Sequence, residues 1–350
     1  MKEILLNNGA REIHLPAVFS DETSARLELS RAREILEKLG AQTVSLEVCA
    51  GSYADGAVSD FCAGAGFPVN RILPLSAASP VLGGAHITAV AGARVKFART
   101  PRGDAAAMYS DGSFEYCRTF GIVSDVERSK PFEHTMDNLV RIEDALGLFG
   151  FSYNDIARTW FYNDDILAWY PEFNRARTSF YGERKIFDSL LPASTGIGAP
   201  NPHGALITSG AIALRKIGEG EVFEVESPLQ CGAPKYGSSF SRAVEIDTPA
   251  SRRVMVSGTA SIEPGGATAF VGDIEKQVAL TMRVISAILE SRKMSLSDTV
   301  RAIVYCLRPE FYGEFLRQFG GANIAHIPSH STVCRSDLLF EVELEAAAAK

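Results

Sequence analysis

The chain closes with "STVCRSDLLFEVELEAAAAK", and its Glu341 sits between Phe340 and Val342, just after Leu338 and Leu339. A carboxyl group in apolar company can serve as a general acid if its surroundings hold it neutral near pH 7. Alternation leaves a second reading open. Leu338, Phe340, Val342 and Leu344 share one face of a period-two strand, while Leu339, Glu341 and Glu343 share the other, as in a strand with one wet face. Other chemistries find less support. His326 and His330 have i,i+4 spacing, but Pro328 between them forbids the regular helix that would make them a metal pair. Cys49, Cys62, Cys117, Cys231, Cys306 and Cys334 form no CxxC pair, which suits reduced thiols in a cytoplasm and argues against a zinc knuckle. Neither a P-loop nor a GxGxxG fingerprint is present, so a nucleotide is not expected.

The elements that position these residues come from a chain of 350 residues, long enough for two domains, with 46% hydrophobic and 22% charged residues. A net charge of −7 without any Lys/Arg block disfavours nucleic acid and anionic membranes. No apolar run is long enough for a signal peptide or a membrane span, so a cytoplasmic protein is expected. The final "EAAAAK" has the composition of a helical spacer and is expected to be a tail over 346–350.

An internal repeat organises the rest. "SYNDIARTWFY" from Ser152 matches "SLSDTVRAIVY" from Ser295, bringing Asp155 onto Asp298, Arg158 onto Arg301 and Tyr162 onto Tyr305. Upstream, Leu139, Ile142 and Leu146 fall on Met282, Ile285 and Leu289 at helical spacing. Downstream, "YPEFNRAR" echoes "RPEFYGEFLRQ" and "PASTGIG" echoes "PSHSTVC". The second copy reads as strands "GALITSGAIALRKI", "EVFEVES", "SFSRAVEI" and "RVMVSGTASI", a long helix over 275–292, a strand "VRAIVYCL", a helix "PEFYGEFLRQF" and the closing strand. This order predicts an α+β fold with helices on one face of each sheet. The expected division is an N-terminal domain over 1–200 and a C-terminal, catalytic domain over 201–345.

The segments "RTWFYNDDI", "FNRARTSFY", "LPASTGIGA", "SPLQCGAPKYGSSFSRA", "VSGTASI" and "VCRSDLLFEVE" together resemble the chorismatases. These are tandem pairs of RidA/YjgF-like (chorismate-mutase-like) domains. The resemblance covers most of 158–343 and is loose over the first 130 residues. It implies a cytoplasmic enzyme that releases pyruvate from chorismate without metal or organic cofactor. RidA proteins are trimers, so either a trimer or a self-sufficient monomer is expected.

Chorismate carries two carboxylates, which guanidinium groups bind in bidentate fashion. Arg158, Arg177 and Arg242 lie inside the resembling motifs and are expected to bind them. Tyr162 and Tyr236 offer phenol hydroxyls for a ring hydroxyl or ether oxygen. Ser239, in "YGSSFSRA", lies where small residues let backbone approach a ligand; in "STGIG", Gly196 and Gly198 offer N–H groups to a carboxylate, although a plain turn has the same letters, and Thr195 beside them is expected to bind substrate. The general acid of the family matches Glu341, with Glu343 as its control. Aligning "DLLFEVE" with "ALITSGA" places Ser209 opposite Glu341, so one half alone carries the acid.

Cys334 matches the position that separates two outcomes in the family. Cysteine goes with formation of 3-hydroxybenzoate, and a smaller residue goes with hydrolysis to a dihydroxycyclohexadiene carboxylate. Ala260, on the "SGTAS" strand, stands where the hydroxybenzoate branch has glycine, and it points the other way. The expected activity is a 3-hydroxybenzoate-forming chorismatase. The alternatives are the hydrolytic branch and, from a different class, a RidA-like deaminase or metabolite-binding protein.

Overall fold

A computed structural model describes residues 1–76, 82–232 and 238–350. The first five-stranded sheet comprises β1 (Lys2–Leu5), β2 (Arg11–Val18), β3 (Ala41–Cys49), β4 (Val69–Ile72) and β5 (Gly84–Ala91), with α1 (Glu22–Lys38) and α2 (Asp55–Cys62). The second, six-stranded sheet comprises β6 (Lys96–Arg99), β7 (Ala105–Ser110), β8 (Phe114–Val123), β9 (Ile156–Asn163), β10 (Ala193–Gly198) and β11 (Ile207–Lys216). It carries α3 (Pro131–Gly147) and α4 (Ile166–Glu183). The third, also six-stranded, comprises β12 (Glu221–Val225), β13 (Ala243–Asp247), β14 (Ser251–Ala260), β15 (Thr299–Cys306), β16 (Ile327–His330) and β17 (Phe340–Ala349). Its helices are α5 (Ile274–Ser291) and α6 (Phe311–Phe319).

The α+β class expected from sequence is what forms, but the repeat occurs in three copies where two were expected. The spatial order β4-β3-β5-β2 in the first sheet matches β10-β9-β11-β8 in the second and β16-β15-β17-β14 in the third. Each copy has one long helix after its opening strand and a bulge near the start of the next strand, at Val44, Ala157 and Val300. Ser152 with Asp155, and Ser295 with Asp298, close the same capping box in two copies. Two strands differ from the sequence reading. The sequence order puts "GALITSGAIALRKI" in the C-terminal half, but as β11 it lies between β8 and β9 and completes the second sheet. A boundary near 200 would cut that sheet. The terminal alanines extend β17, where Ser251–Val254 pair with Ala346–Ala349. Ladder pairing overrides the helix preference of alanine, which is a weak prior.

The long helices cover one face of each sheet. Asp273 caps α5 by accepting the Lys276 N–H at 3.1 Å, and Val278, Met282, Ile285 and Leu289 bury its inner stripe. The opposite faces of the three sheets meet in a common centre, where Val44, Trp160, Tyr162, Ile303 and Tyr305 pack together. Charges are buried there too. Arg301 reaches Glu47 at 2.7 Å and Glu343 at 2.9 Å, and Arg253 and Arg118 hold Glu12 at 2.7 and 3.0 Å. Glu12, His14 and Glu345 are metal-ligand types lying together, but the two guanidinium groups already balance the Glu12 carboxylate. The polar face of β17 therefore points into this centre and not into water. Glu343 is fully buried, so it cannot serve as a solvent-facing control for Glu341.

Candidate active site

The edge strand of each sheet lies against the next sheet in the ring. β10 docks on the third sheet, with Ser194 N–H donating to Ser257 Oγ at 2.9 Å and Gly198 bridging Thr332. Between α4, β10, β14 and β17 lies a cavity of about 250 Å³. Glu341 lines it, opposite Ala260 on β14, together with Arg177, Arg242, Arg335, Tyr170 and Cys334.

Glu341 is buried, and its carboxyl is pushed up to about 8. Burial is the main cause, the nearby Glu343 carboxylate adds to it, and Arg158 and Arg242 oppose it. The acid therefore keeps its proton through neutral pH. Gly258 is the residue that admits it, because a β-carbon at that position would overlap the Glu341 carboxyl. Glu343, two residues on, is held down at about 2. Burial alone would raise it, but Arg301 and Arg158 overcome burial. Trp160 Nε1 also donates to it, and it accepts from Thr195 Oγ1 at 3.0 Å and Tyr305 OH at 3.1 Å. Two carboxyl groups on one strand face thus lie on opposite sides of neutrality.

The residues expected from sequence separate into two groups. Glu341, Cys334, Arg177, Gly196, Arg242 and Ala260 line the cavity. Arg177 donates to Asn174 Oδ1 at 2.9 Å and lies over the Phe173 ring, while Arg242 Nε donates to the Cys231 carbonyl at 3.0 Å. Burial pushes the Cys334 thiol up to about 12, so it is neutral and not nucleophilic.

The other group stands behind the wall. Arg158 does not line the cavity as expected, because its guanidinium is bound to Glu343 and Thr195 and stacks on Trp160. Tyr162 is in the sheet centre, with its hydroxyl 3.2 Å from that of Tyr305. Thr195 accepts the Gly258 N–H at 3.1 Å and supports the wall from behind. Ser239 bonds Thr178 at 3.0 Å, and its neighbours Ser238 and Phe240 line the cavity instead. Tyr236 falls outside the described residues.

Sequence reasoning missed Tyr170, Asn174, Ser194, Gly258 and Arg335. Part of the signal was present, since Tyr170, Asn174 and Arg177 follow i, i+4, i+7 spacing within "YPEFNRAR" and share a helix face. The acidless partner of Glu341 also shifts by one residue. Glu341 pairs with Tyr305 and Thr208 with Tyr162, so Thr208, not Ser209, occupies the equivalent place.

Comparison with known proteins gives the same direction. No protein-family model matches the chain. It is 29% identical over 254 residues to a chorismatase of Streptomyces rapamycinicus, an alignment covering 64% of this chain and 73% of that protein. It is 27% identical over 267 residues to a chorismatase of Streptomyces hygroscopicus, covering 67% and 74%. A crystal structure of a chorismatase superposes with a TM-score of 0.66 over 99% of both chains, at 18% identity. The chain is thus similar in sequence to two chorismatases and shares the fold of a third.

Proposed function

We propose that this protein is a chorismatase that converts chorismate to 3-hydroxybenzoate and pyruvate, with Glu341 as general acid. The observation that carries the reading is a buried, neutral carboxyl in a cavity otherwise rich in guanidinium groups. Arg177, Arg242 and Arg335 bind the substrate carboxylates, and Glu341 gives its proton to the enolpyruvyl methylene carbon. The neighbouring ring hydroxyl then attacks the ring carbon that bears the ether, and the bond from that carbon to the ether oxygen breaks, its electron pair neutralising the cationic pyruvyl centre. Pyruvate leaves, and aromatisation of the ring releases one proton, which returns to the Glu341 carboxylate. No water enters the balance, and the products contain all the atoms of chorismate.

The same cavity supports the choice of product. Cys334 and Tyr170 occupy its wall near Glu341, and their bulk keeps water from the pyruvyl carbon. Replacing Cys334 by Ala should shift the ratio of products towards the dihydrodiol, at a stability cost of about 1 kcal/mol. Chromatography of the products gives the ratio. An unchanged ratio removes the steric account, and complete loss of turnover would instead require a reactive thiol. Hydrolysis as the main course is the second reading, favoured by Ala260 opposite Glu341.

Turnover should survive EDTA. Among the described residues the cavity offers a single carboxyl, held neutral and surrounded by three arginines, which is a poor donor set for a divalent cation. Pyruvate release from chorismate with and without chelator measures this. Full loss, restored by a divalent ion, contradicts the mechanism.

A further inference from the structure

The ring of three sheets has three equivalent junctions, and they differ in what they contain. Where β16 meets the first sheet, the residue equivalent to Glu341 is Gly84, and Ile327 packs directly over it. Where β4 meets the second sheet, a cavity of about 820 Å³ opens instead. It is the repeat of the Glu341 cavity. Thr208 lines it at the place of Glu341, the bulge glycine Gly121 lines it at the place of Gly258, and Val69 and Arg71 line it from β4 as Ser194 and Gly196 do from β10.

Among the described residues, its lining holds one uncommitted cation and one unpartnered buried acceptor. Arg141 and Arg102 are tied to Asp104, Asp125 and Asp137, and Arg128 and Arg71 to Asp164 and Asp55. Among the described residues, Arg99 donates only to the Gly103 carbonyl, at 3.0 Å, and holds no carboxylate. His134 is 1% exposed, and its Nδ1 lies 2.8 Å from the Val126 carbonyl, an acceptor, so Nδ1 carries the proton. Its Nε2 is then a buried acceptor, and among the described residues it has no partner. The cavity thus lacks an anion at Arg99 and a hydroxyl donor at His134. Thr208 brings no acid to the place that Glu341 holds in the other cavity.

We infer that the cavity between the first and second sheets is a second, non-catalytic binding site for a small hydroxylated carboxylate. The inference does not depend on the reaction proposed for the Glu341 cavity. Equilibrium dialysis with 3-hydroxybenzoate, shikimate and salicylate tests it on the full chain, comparing wild type with Arg99→Ala and His134→Phe. Arg99 is at the surface, so its variant should fold and turn over chorismate as wild type does. At least one probe should occupy one more site per chain in wild type than in Arg99→Ala, or bind there at least tenfold more tightly. That difference is independent of any binding at the Glu341 cavity. Equal stoichiometry and affinity in wild type and Arg99→Ala for all three probes would overturn the assignment. Crystals soaked with the tightest probe should place its hydroxyl against His134, and its location elsewhere would count equally against the proposal.

Discussion

Glu341→Gln should lower turnover of chorismate by about 10²–10⁴-fold while leaving the KM for chorismate nearly unchanged. Glutamine has the shape of the neutral carboxyl, so the close fit against Gly258 survives, but it has no proton to give to carbon. Because Glu341 is already uncharged in the folded state, replacement removes no charge from the site and should cost little stability. A variant retaining more than about a tenth of the wild-type rate would mean that another group supplies the proton.

Glu343→Gln should be the most damaging conservative change in the centre of the fold. The carboxylate faces Arg158 and Arg301, and removing it leaves two buried guanidinium groups short of a counter-charge. Breaking such a buried pair costs about 3–5 kcal/mol, which would appear as a lower denaturation midpoint. The same network sets the pH response. Glu343 lies near 2 in the folded state against an ordinary 4.5, so it contributes stability above 4.5 that is lost as pH falls towards 2. Its charge also helps to keep Glu341 protonated, so the glutamine variant should lose activity at lower pH than wild type. An unchanged denaturation midpoint would contradict the structural role. An alkaline limb that stays in place or moves upward would contradict the electrostatic one.

Much of this arrangement was legible in the residues. The repeat linking Tyr162 to Tyr305 predicted the strand–helix–strand order, and the period of β17 placed Glu341 and Glu343 on one face. What that face meets was not legible. Alternating polarity looks the same against water and against a buried cluster of arginines from other sheets, and only tertiary structure brings Arg158 and Arg301 onto Glu343. The first sheet was hidden because it repeats the fold without the residues, with Gly84 and His86 where the third has Glu341 and Glu343. The slip from Thr208 to Ser209 has a local cause, since alignment by letters cannot see which residue a bulge leaves unpaired. Arginine roles were the hardest to assign. Arg158 and Arg177 look alike in sequence, yet one faces the sheet centre and the other the cavity.

The dependence of kcat/KM for chorismate on pH tests the central claim most directly, because it reports the ionisation of the acid in the free enzyme. With Glu341 as an acid titrating at about 8, the rate should be level through neutral pH and fall above 8 by about tenfold per pH unit. A rate that rises through pH 8, or that begins to fall near pH 5 as for an ordinary solvated carboxyl, would contradict the account.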